Sequence, residues 1–529
     1  MPASLSHKAK NSVSRLSKIA EKKFEKECRR KEKKTQQKQA VKKNQPKNYV
    51  TAKRVSSIFN NAGFSRQIGR KAREVKFVKR EGRFKPVDFF TSLVTSLGSS
   101  NLKSLAELNR DYVNNSGNAM RNKPFWNKLS EPECFEFMTE GKNIIEKAYN
   151  KGVSEHPYWD GEELFQIIRS YGLQNIVDIP LYDGTYFKLR GELEDMYPGA
   201  RTNQCDILLE DVFDENGNPC YEKAKNAGIG FQSCLSLRTG CLNSFIETAE
   251  TANEKEFVIV DKDRPMLFLF DNGYQSLILF AKIDKNGSYF ITKARHNCAA
   301  VIKKCKIWGD RHKTLRSDVP TEKSYEGMKV SDAIKLVKEF RHNLDLDVQF
   351  SNGDNYRIVA FYSEEKKDVV LMITNISREK MRARLITDVY RIRWQLELCF
   401  KNLKSGNNLK LAARTTNVTI LRVLITASIC AYLIKQMTAN FLGQFFKNVS
   451  LYKVNIDAKW FAKFAESIIR GQIKIMQQTL RVLLNNQEIV TKSRQSKKKE
   501  EEHRTLESIL NSLKESQTTT WFMEFEKLA

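Results

Sequence analysis

Between residues 176 and 292 short strand-like runs follow one another and then give way to a helical segment, and this order restricts the fold more than any other feature of the chain. Ile176–Leu189 is rich in apolar and β-forming residues and is interrupted by Asp183-Gly184-Thr185. Strand-like runs follow at Gly228–Leu237, Phe257–Val260 and Met266–Phe270, the last fully apolar and ending at Asp271-Asn272-Gly273. Tyr274–Ile283 then reads as a helix and Ser288–Thr292 as another strand. Strands mixed with helices in this way predict an α/β core built on a mixed sheet. Residues 296–375 alternate charged stretches with strand candidates at Leu346–Phe350, Tyr356–Phe361 and Val369–Thr374, which reads as a β-rich insertion. Beyond 378 the chain is helical in pattern almost to its end, with a charged break at 492–503.

The charge is lopsided. Residues 1–85 hold 27 Lys/Arg against 6 Asp/Glu, a surplus of 21 out of a net +28, so a polyanion is the expected partner. Charge by itself does not choose between DNA and RNA. Residues 1–48 have too few large apolar side chains to offset ordering entropy, and read as a basic, disordered arm that neutralises phosphates without reading sequence. From 49 to 150 the pattern is helical. Leu105, Leu108 and Tyr112 recur at helical spacing before Ser116-Gly117-Asn118, and a second helix is expected near Ala119–Leu129. Two helices around a glycine turn resemble a helix-turn-helix DNA-binding unit. Arg66, Arg70, Lys71 and Arg73 form a further basic cluster suited to phosphate, or to a solvated helix face.

The ten cysteines form no CxxC pair or dense framework, which fits free thiols in a reducing compartment. His296, Cys298, Cys305 and His312 match no common zinc spacing, and are read as ordinary core and surface residues. The first twenty residues contain no apolar run of a secretory leader. The longest apolar stretch, Val423–Ile434, is too short to span a bilayer and reads as a buried helix, so the protein is expected in the cytoplasm, without a membrane partner.

The segment with most chemistry in it is Asp388–Lys404, DVYRIRWQLELCFKNLK. At about 100° per residue, Tyr390, Arg393, Glu397 and Lys404 fall on one stripe about 60° wide, beside an apolar stripe of Val389, Ile392, Leu396, Cys399, Phe400 and Leu403. A carboxylate held among cations along the edge of a core suits simultaneous binding of a metal ion and a phosphodiester. A solvated helix edge with an Arg393–Glu397 ion pair would produce the same spacing.

The pattern Y-x2-R-x3-E-x6-K resembles the signature of the bacterial insertion-sequence-four transposases, with Tyr390, Arg393, Glu397 and Lys404 at its four positions. Trp394 and the run Phe400–Lys404, with Lys401, are similar to that family too. Its first aspartate is resembled by Asp183-Gly184-Thr185 and its second by Asp271-Asn272-Gly273-Tyr274. The position after the second aspartate is often arginine in the family and is Asn272 here. The cation that follows on the next strand could be either Lys293 or Arg295. The 126 residues from Asp271 to Glu397 leave room for the family's β-rich insertion.

The resemblance implies a ribonuclease-H-like catalytic core over 170–295 and 376–435, interrupted by an insertion over 296–375. A helical region over 436–529 would serve assembly or DNA contacts. It implies that Asp183, Asp271 and Glu397 are both catalytic and metal-binding, holding two Mg²⁺ ions, with Mn²⁺ as a substitute. Tyr390, Arg393, Lys404, Trp394 and Lys401 would contact double-stranded DNA at the transposon end, with Trp394 stacking or packing. The implied activity is cleavage of transposon ends and strand transfer by a homodimer near the nucleoid, with no small-molecule substrate. The alternatives are a nuclease of the same fold without strand transfer, and a non-enzymatic DNA-binding descendant. Asp178, Asp206, Asp261 and Asp263 are competing acids without the same turn context.

Overall fold

The computed structural model describes residues 64–485, apart from 81, 100–103, 156–159, 201–206, 214, 216–218, 223–224, 309–319, 342, 365, 444–448 and 450–457, together with isolated positions 55, 509 and 513. The basic arm, the charged break at 492–503, His312 and Asp206 lie outside the described residues.

The chain begins with helices α1 (Phe64–Glu74), α2 (Pro86–Gly98), α3 (Ala106–Ser116), α4 (Asn122–Ser130), α5 (Pro132–Glu155) and α6 (Asp160–Ser170). α3 ends at Gly117, whose φ of 67° only glycine adopts without strain, so the expected turn between two helices is present. Strands β1 (Pro180–Lys188), β2 (Ile207–Phe213), β3 (Pro219–Glu222), β4 (Gly228–Ser236), β5 (Leu242–Ala249) and β6 (Leu267–Phe270) follow. Next come α7 (Leu277–Lys285), β7 (Tyr289–Lys293), β8 (Val301–Ile307), α8 (Val330–Phe340), β9 (Leu344–Gln349), β10 (Asn355–Ser363) and β11 (Asp368–Thr374). The remaining helices are α9 (Ala383–Arg391), α10 (Trp394–Lys401), α11 (Leu409–Ala412), α12 (Val418–Gly443), α13 (Ala458–Arg470) and α14 (Ile473–Asn485).

Nine strands form one mixed sheet in the order β5-β4-β1-β6-β7-β11-β10-β9-β8, while β2 and β3 pair separately as a hairpin. β5, β4 and β1 are antiparallel, and β1, β6 and β7 are parallel. The strands of 296–375 do not stand apart: β11, β10, β9 and β8 continue the same sheet antiparallel from the β7 edge. Alternation along the strands splits the core in two. Leu181, Leu267, Leu269 and Ile291 face the helices of both ends of the chain, including α2, α5, α9, α10 and α12, in one continuous apolar cluster. Tyr182, Phe268, Phe270 and Phe290 face the other side, covered by α7 and α8.

α12 is the spine of the helical side. Its 26 residues are long and apolar enough to cross a membrane, yet 78% of its most apolar window is buried inside the protein. Polar residues within it bond backward to the preceding turn, as Thr426, Ser428 and Thr438 do to Arg422, Leu424 and Ile434. The buried Lys435 ammonium donates to Gly98 O, Gly406 O and Asn407 Oδ1, tying α2 to the turn that follows α10.

Candidate active site

Leu181 of β1 lies opposite Leu269 of β6 in parallel register. Two residues further along come Asp183, within β1, and Asp271, the extended residue just past β6, so the alternation of the paired strands sets both acids toward the helix-covered face. Asp183 lies inside β1, which runs on through Gly184 and Thr185 without the interruption expected there, and the Gly184 amide donates to its Oδ1 at 2.9 Å. Asp271 follows the last residue of β6, and its carbonyl accepts from the Thr292 hydroxyl at 2.9 Å and the Tyr274 amide at 3.1 Å. β7 thus holds the backbone of the second aspartate.

The segment 388–404 is not one helix. After α9 the backbone tightens: Arg393 N bonds Tyr390 O, Gln395 N bonds Ile392 O, and Leu396 N bonds Arg393 O. Each of these bonds spans three residues instead of four, so the uniform 100° wheel fails at Ile392–Arg393. α10 then ends in a π turn over Asn402–Gly406. The side chains still reach a common place. Arg393, 8% exposed, donates Nη1 to Asp183 Oδ2 and Nη2 to Glu397 Oε1, both at 2.5 Å. The Lys404 ammonium donates to Tyr186 O at 3.0 Å, delivered there by the π turn.

Burial pushes the Asp183 carboxyl up to about 6; Arg393 pulls it down, while Asp271 and Glu397 push it further up. Tyr390 is buried, and its phenol is raised by that burial. Its ring lies under two cations, Lys293 Nζ at 5.7 Å and the Arg393 guanidinium at 5.9 Å. Burial lowers Lys293, with Lys366 and Arg393 adding repulsion and Asp271 and Glu397 opposing it. Lys293 therefore stands at the site, whereas Arg295 is exposed beyond it. Burial and Lys410 likewise lower Lys404, against Asp183.

Trp394 is half-buried and Lys401 is exposed on α10. On α1, Arg66, Arg70 and Arg73 are exposed; Arg70 pairs with Glu74, and Lys71 pairs with Glu74 and Glu140. α1 supplies no side chain to the carboxylate site. Of the competing acids, Asp178 accepts from the Ile179 and Arg238 amides and serves the strand entry, and Asp261 accepts from the Asp263 amide in a loop. The His296 ring bonds the Val369 carbonyl at 2.8 Å, and Cys298 and Cys305 are buried free thiols.

Among the described residues no three His, Cys, Asp or Glu side chains are placed so that they could hold a metal ion. Two of the proposed acids, Asp183 and Glu397, are instead bridged by the Arg393 fork. One acid near this site gave no signal in its local sequence. Glu254, in the polar stretch before β6, is half-buried and is raised to about 6 by burial and by Asp183 and Asp271.

Residues 179–434 match the family model described as the transposase DDE domain. The chain is also similar to the transposase for insertion sequence element IS231F of Bacillus thuringiensis subsp. israelensis, 22% identical over 63% of this chain and 69% of that protein. The transposase for IS231B of Bacillus thuringiensis subsp. berliner is 23% identical over the same shares. The transposase for IS1151 of Clostridium perfringens is 24% identical over 34% of this chain and 44% of that protein.

Proposed function

We propose that this chain, which the domain match and the named relatives support as a DDE transposase, cleaves transposon ends and joins them to target DNA at a site made by Asp183, Asp271 and Glu397. The observation that carries the reading is the in-step placement of Asp183 and Asp271 on parallel strands, with Arg393 linking Asp183 to Glu397. The strand order β5-β4-β1-β6-β7, three antiparallel strands followed by two parallel ones, supports a ribonuclease-H-like core.

The residues fit divalent cations on a condition. The Asp183 carboxyl is raised by burial first and then by Asp271 and Glu397, so added positive charge beside it is favoured. Arg393 meets part of that demand. For one cation to be shared by Asp183 and Glu397, the guanidinium must turn away, and a DNA phosphate gives it an equivalent bidentate partner. Asp183 with Asp271, and Asp183 with Glu397, would hold two Mg²⁺ ions or Mn²⁺ in their place; when bound they supply Lewis-acid activation of the attacking oxygen and stabilise the leaving one.

The chain's own residues do the rest. Arg393, Lys404 and Lys293 bind phosphate oxygens of the transposon end, and the Tyr390 ring orients the two cations stacked on it. Lys404 is held within reach of the scissile region by the π turn. The strand's attacking group is water or a 3′-hydroxyl, so no side-chain nucleophile is required. α1, α3 and α4, with their exposed basic residues, contact flanking DNA, as do Trp394 and Lys401. The active form is a homodimer that synapses two ends in the cytoplasm, at the nucleoid.

The test is an in vitro reaction with the full chain, Mg²⁺ and linear DNA carrying the inverted repeats that flank its gene. Covalent joining of 3′ ends to a target plasmid is expected. Cutting without joining would point to a nuclease of the same fold, and binding without cutting to a DNA-binding descendant.

A further inference from the structure

Glu254 opens the short turn Glu254–Phe257 between β5 and β6, capped by Asn253, whose side chain accepts from the Lys255 amide. Its neighbour Glu256 is exposed, but Glu254 turns inward, and its Oε1 accepts from the Tyr186 hydroxyl. The carboxylate then presses on two glycines. A Cβ on Gly184 would lie 2.5 Å from Glu254 Oε1, 2.7 Å from the Tyr186 hydroxyl and 3.1 Å from Gln232 Oε1. A Cβ on Gly273 would lie 2.9 Å from Glu254 Oε2. Neither glycine has a positive φ, and the missing side chain at both leaves the space that the Glu254 carboxylate fills.

Gly184 directly follows Asp183, and Gly273 lies two residues after Asp271. By strand alternation Tyr186, Gln232 and Gly184 face the side of the sheet opposite the Asp183 carboxylate. Glu254 therefore touches the β1 backbone next to Asp183 and the turn after Asp271. Gln232, 1% exposed, completes the cradle, with its Oε1 accepting from the Tyr274 hydroxyl at 3.4 Å.

We propose that Glu254 is a positioning residue: wedged against Gly184 and Gly273 and held by Tyr186, it fixes the separation of the Asp183 and Asp271 carboxylates and so sets their affinity for divalent cations. The inference rests on the metal-site reading above. Outer partners that orient ligands in this way change metal affinity by about 10–100-fold when lost.

The experiment is calorimetric titration of Mn²⁺ into the full, DNA-free chain, for wild type, Glu254→Ala, Glu254→Gln, Tyr186→Phe and Asp183→Asn, with thermal melts in chelator to establish folding. Glu254→Ala should weaken Mn²⁺ by about 10–100-fold, while Glu254→Gln, which keeps the wedge, should lie closer to wild type. Equal affinity of Glu254→Ala and wild type overturns the proposal, as does a Gln variant as weak as the Ala variant. Should Glu254→Ala not fold, Tyr186→Phe decides: weakened affinity supports the wedge, and unchanged affinity overturns it. Absence of Mn²⁺ binding by wild type, or wild-type binding by Asp183→Asn, removes the metal site itself instead of the role of Glu254.

Discussion

Arg393 reaches Asp183 across 210 residues of chain, and the same guanidinium holds Glu397 one turn further along its own helix. A single cation thus joins the helical acid to the strand acid, and in the proposed reaction Arg393 would compete with divalent ions until a phosphate takes it.

Arg393→Ala frees both carboxylates. Mn²⁺ affinity of the DNA-free chain should rise, measured by titration calorimetry, while binding to transposon ends weakens. In salt-titrated filter binding the slope of log K against log salt should fall by about 1, the contribution of one phosphate contact. Lys404→Ala should lower the slope similarly without raising Mn²⁺ affinity. Unchanged slopes in both variants would remove the phosphate-binding role.

The Asp183 carboxyl predicts a pH signature. Its folded value of about 6 lies above the ordinary 3.8. Between those values the folded chain keeps a proton that the unfolded chain has released, so this group favours folding most at low pH. That contribution disappears as pH rises through about 6. Asp183→Asn has no such dependence. In chelator, its stability relative to wild type should therefore improve from pH 4.5 to 7.5 by on the order of 2 kcal/mol, read from urea melts. A pH-independent difference would mean the carboxyl is not raised.

Much of the fold was legible because it is local. The apolar run ending at Asp271 and the strand around Asp183 declare themselves by β-forming residues, although Asp183-Gly184-Thr185, which reads as an interruption, lies within β1. The π turn and the tightened step at Arg393 were not legible, because tertiary contacts of Arg393 and Lys404 select them over regular helix. The β2–β3 hairpin was missed between two clearer strands. Lys293 and Arg295 are equivalent in sequence, and only the sheet places one over the Tyr390 ring and the other outside. Glu254 sits in a polar stretch that reads as a loop, and its partners Tyr186, Gly184 and Gly273 are defined by strand pairing alone. α12 is longer than its apolar run because Lys435, which ends that run, is buried and bonded to three oxygens of other segments.

Lys435 gives the architectural prediction. Burial drives its ammonium well below the ordinary lysine range, and three oxygens still surround it. Lys435→Met leaves those acceptors buried without a donor, at about 1–3 kcal/mol for each unpaired group. Chemical denaturation should show a loss of at least about 2 kcal/mol, and loosening at Gly406 should carry to Lys404 as weaker end binding. A variant as stable as wild type would show that the three oxygens find other donors.

Direct contact between a metal ion and the proposed acids is tested most sharply by changing the ligand's softness. Asp271→Cys should lose end cleavage in Mg²⁺, a hard ion that binds thiolate poorly, and recover part of it in Mn²⁺. Asp271→Ala should stay inactive in both, and both variants should still bind the end DNA. Wild-type cleavage by Asp271→Ala in Mg²⁺ would contradict the account, because the reaction would then proceed without the second acid.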